Sequence, residues 1–365
     1  MKNVKKVLWL CAALPLAAGA GKALAGDGFF PVCMYGAASV KDLAVIKEAG
    51  FNCFHTYNHD PGSLAAMAAE ADQLGLKMAA YPDKVIGSAY SEKAKKWPML
   101  AWYLYDEPEV GKLHPDGLKK LDAAAKAWSP EQRTAFVMGD GAAAATYGGI
   151  ADALMVDWYP VPHLPLESVG RHVSLAKAAA AALSAPGTDK PLWAVLQAFD
   201  WKIYPQSREH RRVGRFPEFS EIRFMTWLAL ARGADGIFYF TLAQEGGTLA
   251  DRPERWHLFK RMAAELNAFG PLLADAKEAE PPTGLDPSLA ARALSSGGRR
   301  CLILLNPTRR NIPLDAGKLK GWRPLFEEKR RLEAVLPGGK NLYLPPCRAL
   351  VLEKKAAGLM SDRLP

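Results

Sequence analysis

The chain reads as an α/β protein, a (β/α)8 TIM barrel followed by a small C-terminal antiparallel β-sandwich, and three observations carry that reading. Eight short apolar runs recur between residues 29 and 242, most of them separated by helical patterns. The fourth of these, Met99-Leu100-Ala101-Trp102-Tyr103-Leu104-Tyr105, is too short for an ordinary helix and apolar on both faces, as a buried parallel strand must be. Past Pro271 the helical patterns stop and strand-like runs follow one another, which predicts a separate antiparallel unit. The expected divisions are a signal segment over 1–25, a barrel over 27–275 and a sandwich over 280–355.

The eight runs are 29–36, 51–57, 77–81, 99–105, 134–138, 153–159, 192–199 and 236–242. Ser39-Val40-Lys41-Asp42 opens a capped helix ending at Gly50, and 63–74 repeats the design with Gly75 as terminator. Longer helices are expected over 115–128, 166–184, 217–232 and 253–269, whereas 142–149 is glycine-rich and weak. A strand–helix alternation of this length fits one barrel of about 250 residues. An open doubly wound sheet would need a glycine-rich phosphate turn after the first strand, and Gly36-Ala37-Ala38-Ser39 is not one. Glu280-Pro281-Pro282-Thr283-Gly284 marks the boundary. Beyond it, strands are expected over 289–296, 300–306, 311–314, 322–327, 331–336 and 347–353.

Lys2, Lys5 and Lys6, an apolar stretch over 7–20, and Ala23-Leu24-Ala25 before Gly26 form the charge, core and cleavage pattern of a secretory signal peptide. The stretch is too short and too interrupted for a membrane span of about 20 residues, so a secreted or periplasmic location is expected. The formal charge of +9 includes four lysines in the first 25 residues, leaving a mildly basic +5. Basic residues are scattered rather than interleaved with aromatics, which makes nucleic acid a poor partner. The one basic cluster, 208–215, reads as a solvated loop. In an oxidising compartment Cys33, Cys53, Cys301 and Cys347 allow three pairings. The most natural joins Cys33 to Cys53 and Cys301 to Cys347; four buried thiols are the alternative. No Cys-x-x-Cys or His-Glu-x-x-His spacing suggests a metal, and His55 and His59 follow a strand.

Asp106-Glu107-Pro108-Glu109 ends the fourth run. Proline cannot donate to a ladder, so the chain leaves the sheet where the acids sit, and carboxylates at the carboxyl end of a barrel strand read as catalytic more often than as structural. With this feature the chain resembles the retaining glycoside hydrolases of the large (β/α)8 superfamily, particularly little-characterised bacterial members carrying Asp-Glu-Pro. The resemblance extends to Val156-Asp157-Trp158-Tyr159-Pro160 and to 225–240. It implies that Glu107 is the general acid/base. The superfamily's nucleophile is a glutamate near the end of strand seven, where this chain has Leu196-Gln197-Ala198-Phe199-Asp200-Trp201. An amide cannot attack an anomeric carbon. Asp157 or Asp200 is therefore expected to supply the second carboxylate, with Gln197 and Asp106 hydrogen-bonding sugar hydroxyls. Each acid also admits a structural role as a cap or loop organiser, and Glu218, Glu221 and Glu245 are weaker candidates.

Tyr35, Tyr57, Tyr81, Tyr105, Trp158, Tyr159, Trp201, Tyr204 and Tyr239 lie near strand ends, where some of them would form platforms for sugar rings. The sequence thus predicts an exported protein that cleaves O-glycosidic bonds of a poly- or oligosaccharide without a cofactor. The alternatives are a carbohydrate-binding protein on the same barrel and a structural partner in polysaccharide export or envelope assembly.

Overall fold

A computed structural model describes residues 29–184, 190–204, 213–274, 276–326 and 342–355. The expected signal segment, residues 208–212 of the basic cluster and the strand expected at 331–336 lie outside these residues.

Eight parallel strands close into a barrel in chain order: β1 Val32–Met34, β2 Cys53–His55, β3 Lys77–Ala80, β4 Met99–Asp106, β5 Thr134–Met138, β6 Ala153–Trp158, β7 Leu192–Gln197 and β8 Gly236–Phe240. Strand β1 pairs with both β2 and β8, which leaves no free edge. Helices α1 Val40–Glu48, α2 Pro61–Leu74, α3 Ser91–Ala94, α4 Pro115–Trp128, α5 Ala144–Tyr147, α6 Ser168–Leu183, α7 Phe219–Ala231 and α8 Pro253–Ala274 follow the eight strands in turn. Local chemistry fixes their ends. The Asp60 side chain accepts the Ser63 amide ahead of α2, Pro61 occupies the first turn, and Gly75 closes it in the left-handed conformation at φ 63°. The weak segment after β5 forms only a short 3-10 turn and the four-residue α5.

Strand parity separates two cores. Cys33, Tyr35, Cys53, Tyr103, Ala135, Val137, Met155, Trp193, Val195 and Phe238 fill the barrel interior. Their chain neighbours, such as Met34, Phe54, Trp102, Phe136, Leu154 and Ile237, pack against the helices. Cys33 and Cys53 are direct partners in the β1–β2 register and form a disulfide inside the barrel.

After β8 come a short hairpin, β9 Ala243–Gln244 and β10 Gly247–Thr248, then β11 Lys277–Ala279, β12 Ala290–Ser296, β13 Arg299–Asn306, β14 Ile312–Leu314, β15 Arg323–Pro324, β16 Leu342–Leu344 and β17 Arg348–Lys355. Five of these form an antiparallel sheet in the order β11-β12-β13-β17-β15, and β14 pairs with β16 as a separate ribbon. One sheet face, with Leu294, Cys301, Ile303, Leu305 and Val351, joins the core between strands and helices. The other packs Leu302, Leu304, Leu350 and Leu352 against Leu314, Leu342 and Leu344 of the ribbon. Arg223 of α7 ties the units together by donating to the Ala349 carbonyl at 2.8 Å and to Glu265 of α8 at 2.7 Å.

The second expected disulfide does not form: Cys301 and Cys347 are free. Cys301 lies opposite Glu353, whereas Cys347 donates its amide to the Asn306 carbonyl. Five residues of extended strand separate those two positions, about 16 Å at 3.3 Å per residue, well beyond the reach of a disulfide.

Candidate active site

The site is built at the carboxyl end of the barrel, and a bulge in β4 makes it. Tyr103 faces the interior, so unbroken alternation would send Asp106 outward with Trp102 and Leu104. Instead the register with β5 slips between Tyr103 and Asp106: three steps along β4 span two along β5, from Ala135 to Val137. The extra residue returns Asp106 to the interior side, where the Tyr103 hydroxyl donates to its Oδ1 at 2.5 Å. The next residue, Glu107, takes a left-handed backbone at φ 49°. That conformation costs a non-glycine residue about 1–3 kcal/mol, and here it turns a second adjacent carboxyl toward the same pocket. Gly139, after β5, leaves the space: a Cβ there would lie 2.7 Å from Glu107 Oε1.

Asp157 comes from β6 with interior parity and is buried. It lies near enough to Glu107 and Tyr159 for them to shift its ionisation, and its Oδ1 is buried without a hydrogen-bond partner among the described residues. Two neighbouring buried carboxyls resist ionising together. Burial pushes the Asp157 carboxyl well above the usual range, and the adjacent Glu107 charge pushes it further. Glu107 is itself raised by burial and then by the charges of Asp106 and Glu109. Asp106 is raised by burial against hydrogen bonds from Tyr103 and Tyr57 that favour its ionised form, and it keeps a solvent-facing edge.

Aromatic rings surround these acids. Tyr35 packs on His55 at 4.1 Å, and His55 on Tyr103 and on Tyr57 at 4.5 Å each. Tyr81 meets Tyr103 edge-on at 5.1 Å. Contiguous with them through Phe240, which meets Tyr35 at 5.7 Å, Tyr159 stacks on Phe240 at 5.5 Å and packs against Phe199 and Trp201. Tyr57 and Tyr204 are 40% and 37% exposed and form the rim. Burial raises the phenols of Tyr35, Tyr103 and Tyr159 far above their ordinary value, so they stay neutral donors.

Several expected contacts fall elsewhere. Gln197 is wholly buried: its Nε2 donates to the Val161 and Phe199 carbonyls at 2.8 and 3.1 Å, and its Oε1 accepts the Val161 amide at 2.9 Å. With both N–H groups committed it has none to offer a sugar hydroxyl; it pins the β6–α6 loop to β7. Tyr239 has the outward parity of its strand. It bonds Thr226 at 2.7 Å and packs on Phe51 and Phe259 between strands and helices. Trp158 is also on the helix side, with its ring stacked on His172 at 3.5 Å and its Nε1 donating to Ser168. Asp200 Oδ1 accepts the Lys202 amide and caps the turn at Trp201–Ile203. Glu221 pairs with Arg215 and the Glu218 amide at the start of α7, and Glu245 lies exposed in the β9–β10 hairpin.

Tyr103 and Gly139 were not singled out from the sequence, and His55 was weighed there only as a metal ligand. Parity counted from Ala101 would have found Tyr103, and the same alternation places Gly139 two residues past Val137 on the interior side. His55 gave no such sign, because a histidine after Cys53-Phe54 reads as ordinary strand.

No protein-family model and no curated protein matches the chain. Solved structures match it along nearly its whole length. One described as a glycoside hydrolase is 14% identical with a TM-score of 0.58, over 92% of this chain and 94% of the other. Amy13B of Eubacterium rectale is 9% identical with a TM-score of 0.58, over 92% and 98%. A glycoside hydrolase family 5 protein of Bacteroides vulgatus is 13% identical with a TM-score of 0.55, over 92% and 93%. The likeness is one of fold: this chain carries a glycoside hydrolase-like (β/α)8 barrel.

Proposed function

We propose that the protein is an exported glycoside hydrolase in which Glu107 protonates the leaving glycosidic oxygen. The observation that carries this reading is the gathering of Asp106, Glu107 and Asp157 at the carboxyl end of the barrel, where the β4 bulge and Gly139 make room for them among aromatic rings. A general acid must hold its proton near neutral pH, and burial together with a neighbouring charge achieves that for a glutamate. Asp157 acts as a positioning residue, its neighbouring charge helping Glu107 to hold a proton. Tyr57, Tyr159 and Trp201 supply ring surface around the sugar, whereas Tyr35, expected there from the sequence, is buried in the barrel interior and only backs Tyr57. Export is supported by the buried Cys33–Cys53 disulfide, since disulfides persist in oxidising compartments. Among the described residues no helix is long and apolar enough to cross a membrane.

The test is a panel of oligosaccharides and aryl glycosides incubated with the purified protein, with reducing ends detected. Glu107→Gln should lower turnover by about 10²–10⁴-fold, the usual worth of a general acid, while sugar binding persists. Amino-terminal sequencing of the exported protein should begin at Gly26. A second reading, a sugar-binding protein without turnover, draws support from the buried amide of Gln197 at the end of β7. Calorimetric binding of an oligosaccharide that is never cleaved would favour it.

A further inference from the structure

Basic residues that the sequence scatters past residue 275 are brought together by the register of the C-terminal sheet. Residues 276–365 hold 17 lysines and arginines against nine acids, a formal charge of +8, whereas residues 26–275 carry −3. The mild charge that follows residue 25 is thus the sum of two units of opposite sign. Within the sheet, Lys277 of β11 lies opposite Ser295 of β12, Ser295 opposite Arg300 of β13, and Arg300 opposite Lys354 of β17. Cross-strand partners share a face, so the three cations form one row across four adjacent strands, about 14 Å long at about 4.8 Å per strand. Two residues further in along each strand, Ala279, Ala293, Leu302 and Leu352 pack in the cluster that holds the β14–β16 ribbon. The basic row lies just beyond that cover, and all three of its cations are exposed. Lys354 leans over the turn at Gly321, where a Cβ would come within 3.3 Å of its Cε, and Lys320 and Arg323 flank that turn.

Arg300 directly opposite Lys354 is a like-charge pair, an arrangement that destabilises a sheet. Charges that protect a sheet from aggregation stand on its edge strands, but β13 and β17 are interior strands here. The charge is not cancelled locally either. Arg300 donates one N–H to the Glu280 carbonyl at 2.8 Å, which fixes the side chain and leaves its charge intact. Glu278 and Glu353 are engaged by Arg292 and Arg299 on the face turned to the barrel. Lys277, Lys320, Arg323 and Lys354 have no acidic partner among the described residues.

We infer that this end of the C-terminal sheet binds an acidic polysaccharide, a chain that carries carboxylates at regular intervals. The row is linear and spaced by strand pairing, so a polymer lying along it meets a cation about every 5–10 Å. The remaining N–H groups of Arg300 can grip a carboxylate through two parallel bonds, and the ammoniums of Lys277 and Lys354 act as point charges on either side. Among the described residues no large apolar side chain is exposed on β11, β12, β13 or β17. The surface therefore has nothing to sink among lipid tails and no ring in the row on which a nucleic-acid base could stack. The barrel pocket is lined by Asp106 and Glu107, of the same sign as the polymer, so the row serves as a tether and not as a path to the pocket.

The test measures binding of the full chain to polygalacturonate and alginate, with dextran as the neutral polymer and with phosphatidylglycerol vesicles and duplex DNA as the other polyanions. Polygalacturonate or alginate should bind and dextran should not. Raising salt from about 0.05 to about 0.3 M should weaken the complex about tenfold or more, because exposed charges are screened. Lys277→Gln/Arg300→Gln/Lys354→Gln should weaken it about tenfold or more, while the same loss of charge on the barrel, Lys93→Gln/Lys96→Gln/Lys120→Gln, should change it by less than about twofold. The row variant should melt at or slightly above the wild-type Tm, since it removes the like-charge pair, so its lost binding is not unfolding. Polygalacturonate should raise the Tm of the wild type and not that of the row variant. Absence of binding, undiminished binding by the row variant, or equal losses in the two variants would overturn the site. Tighter binding to the vesicles or to DNA than to either polyuronate at equal salt would overturn the choice of partner. None of these readouts depends on cleavage, so the hydrolase reading stands or falls separately.

Discussion

At the residue scale the nearness of Glu107 and Asp157 makes two measurable demands. Ionising both carboxyls leaves two neighbouring negative charges in a buried place, so the Glu107 proton is held to a higher pH than an isolated glutamate would hold it. Asp157→Asn removes one of the charges. The alkaline limb of the kcat/KM profile should therefore move to lower pH, and an unmoved limb would mean that Asp157 has no part in the ionisation. The same burial bears on stability. The folded Asp157 keeps a proton that the unfolded chain loses near pH 3.9, so the unfolded state binds fewer protons and stability falls as pH rises from there through the folded pKa. Asp157→Asn should then raise Tm more at pH 7 than at pH 4 by scanning calorimetry, and an equal change at both would count against the raised pKa. Gly139→Ala tests the packing of the acid. Its Cβ would sit 2.7 Å from Glu107 Oε1, so kcat/KM should drop at least tenfold with Tm within a few degrees of wild type, since about 1 Å of misplacement can cost 10²-fold.

At the element scale, the β4 bulge does what the motif by itself does not specify. Asp-Glu-Pro-Glu told where the chain leaves the sheet, but alternation alone would have turned Asp106 outward, and only the register with β5 shows its return. Nor does Gln197 declare in sequence whether it faces a ligand or braces a loop; its partners Val161 and Phe199 lie on segments that only the closed barrel brings together. The helices were more legible, because Asp60-Pro61 and Gly75 act on their own neighbours. The buried Glu265 of α8 accepts from Arg223 at 2.7 Å and from Trp227 Nε1 at 3.0 Å, both on α7, and Arg223 in turn donates to the Ala349 carbonyl of the C-terminal sheet. Glu265→Ala removes the acceptor of Arg223 Nε and of Trp227 Nε1. Breaking such a pair costs about 3–5 kcal/mol, so Tm should fall by roughly 10 °C at about 2–4 °C per kcal/mol.

At the scale of the whole molecule, eight apolar runs and the helices between them were enough to specify a closed barrel, because strands buried on both faces leave few other ways to cover themselves. The pairing of cysteines was half legible for the same reason. Neighbouring first and second strands put Cys33 opposite Cys53, while the antiparallel register that separates Cys301 from Cys347 depends on turn lengths that composition does not encode. The one disulfide lies between β1 and β2, beside the pairing of β1 with β8 that closes the ring. It spans 20 residues of sequence, and a loop of that size is worth about 3 kcal/mol through the entropy it removes from the unfolded chain. A Cys33→Ala/Cys53→Ala variant should accordingly melt about 6–12 °C lower. Because neither cysteine is exposed, dithiothreitol should leave the native protein's Tyr35–His55 floor and its activity unchanged and act only once the barrel opens. The measurement is Tm with and without reductant, together with thiol counts before and after melting. Titration of two new thiols in the native state would show that the barrel opens there far more readily than its packing implies.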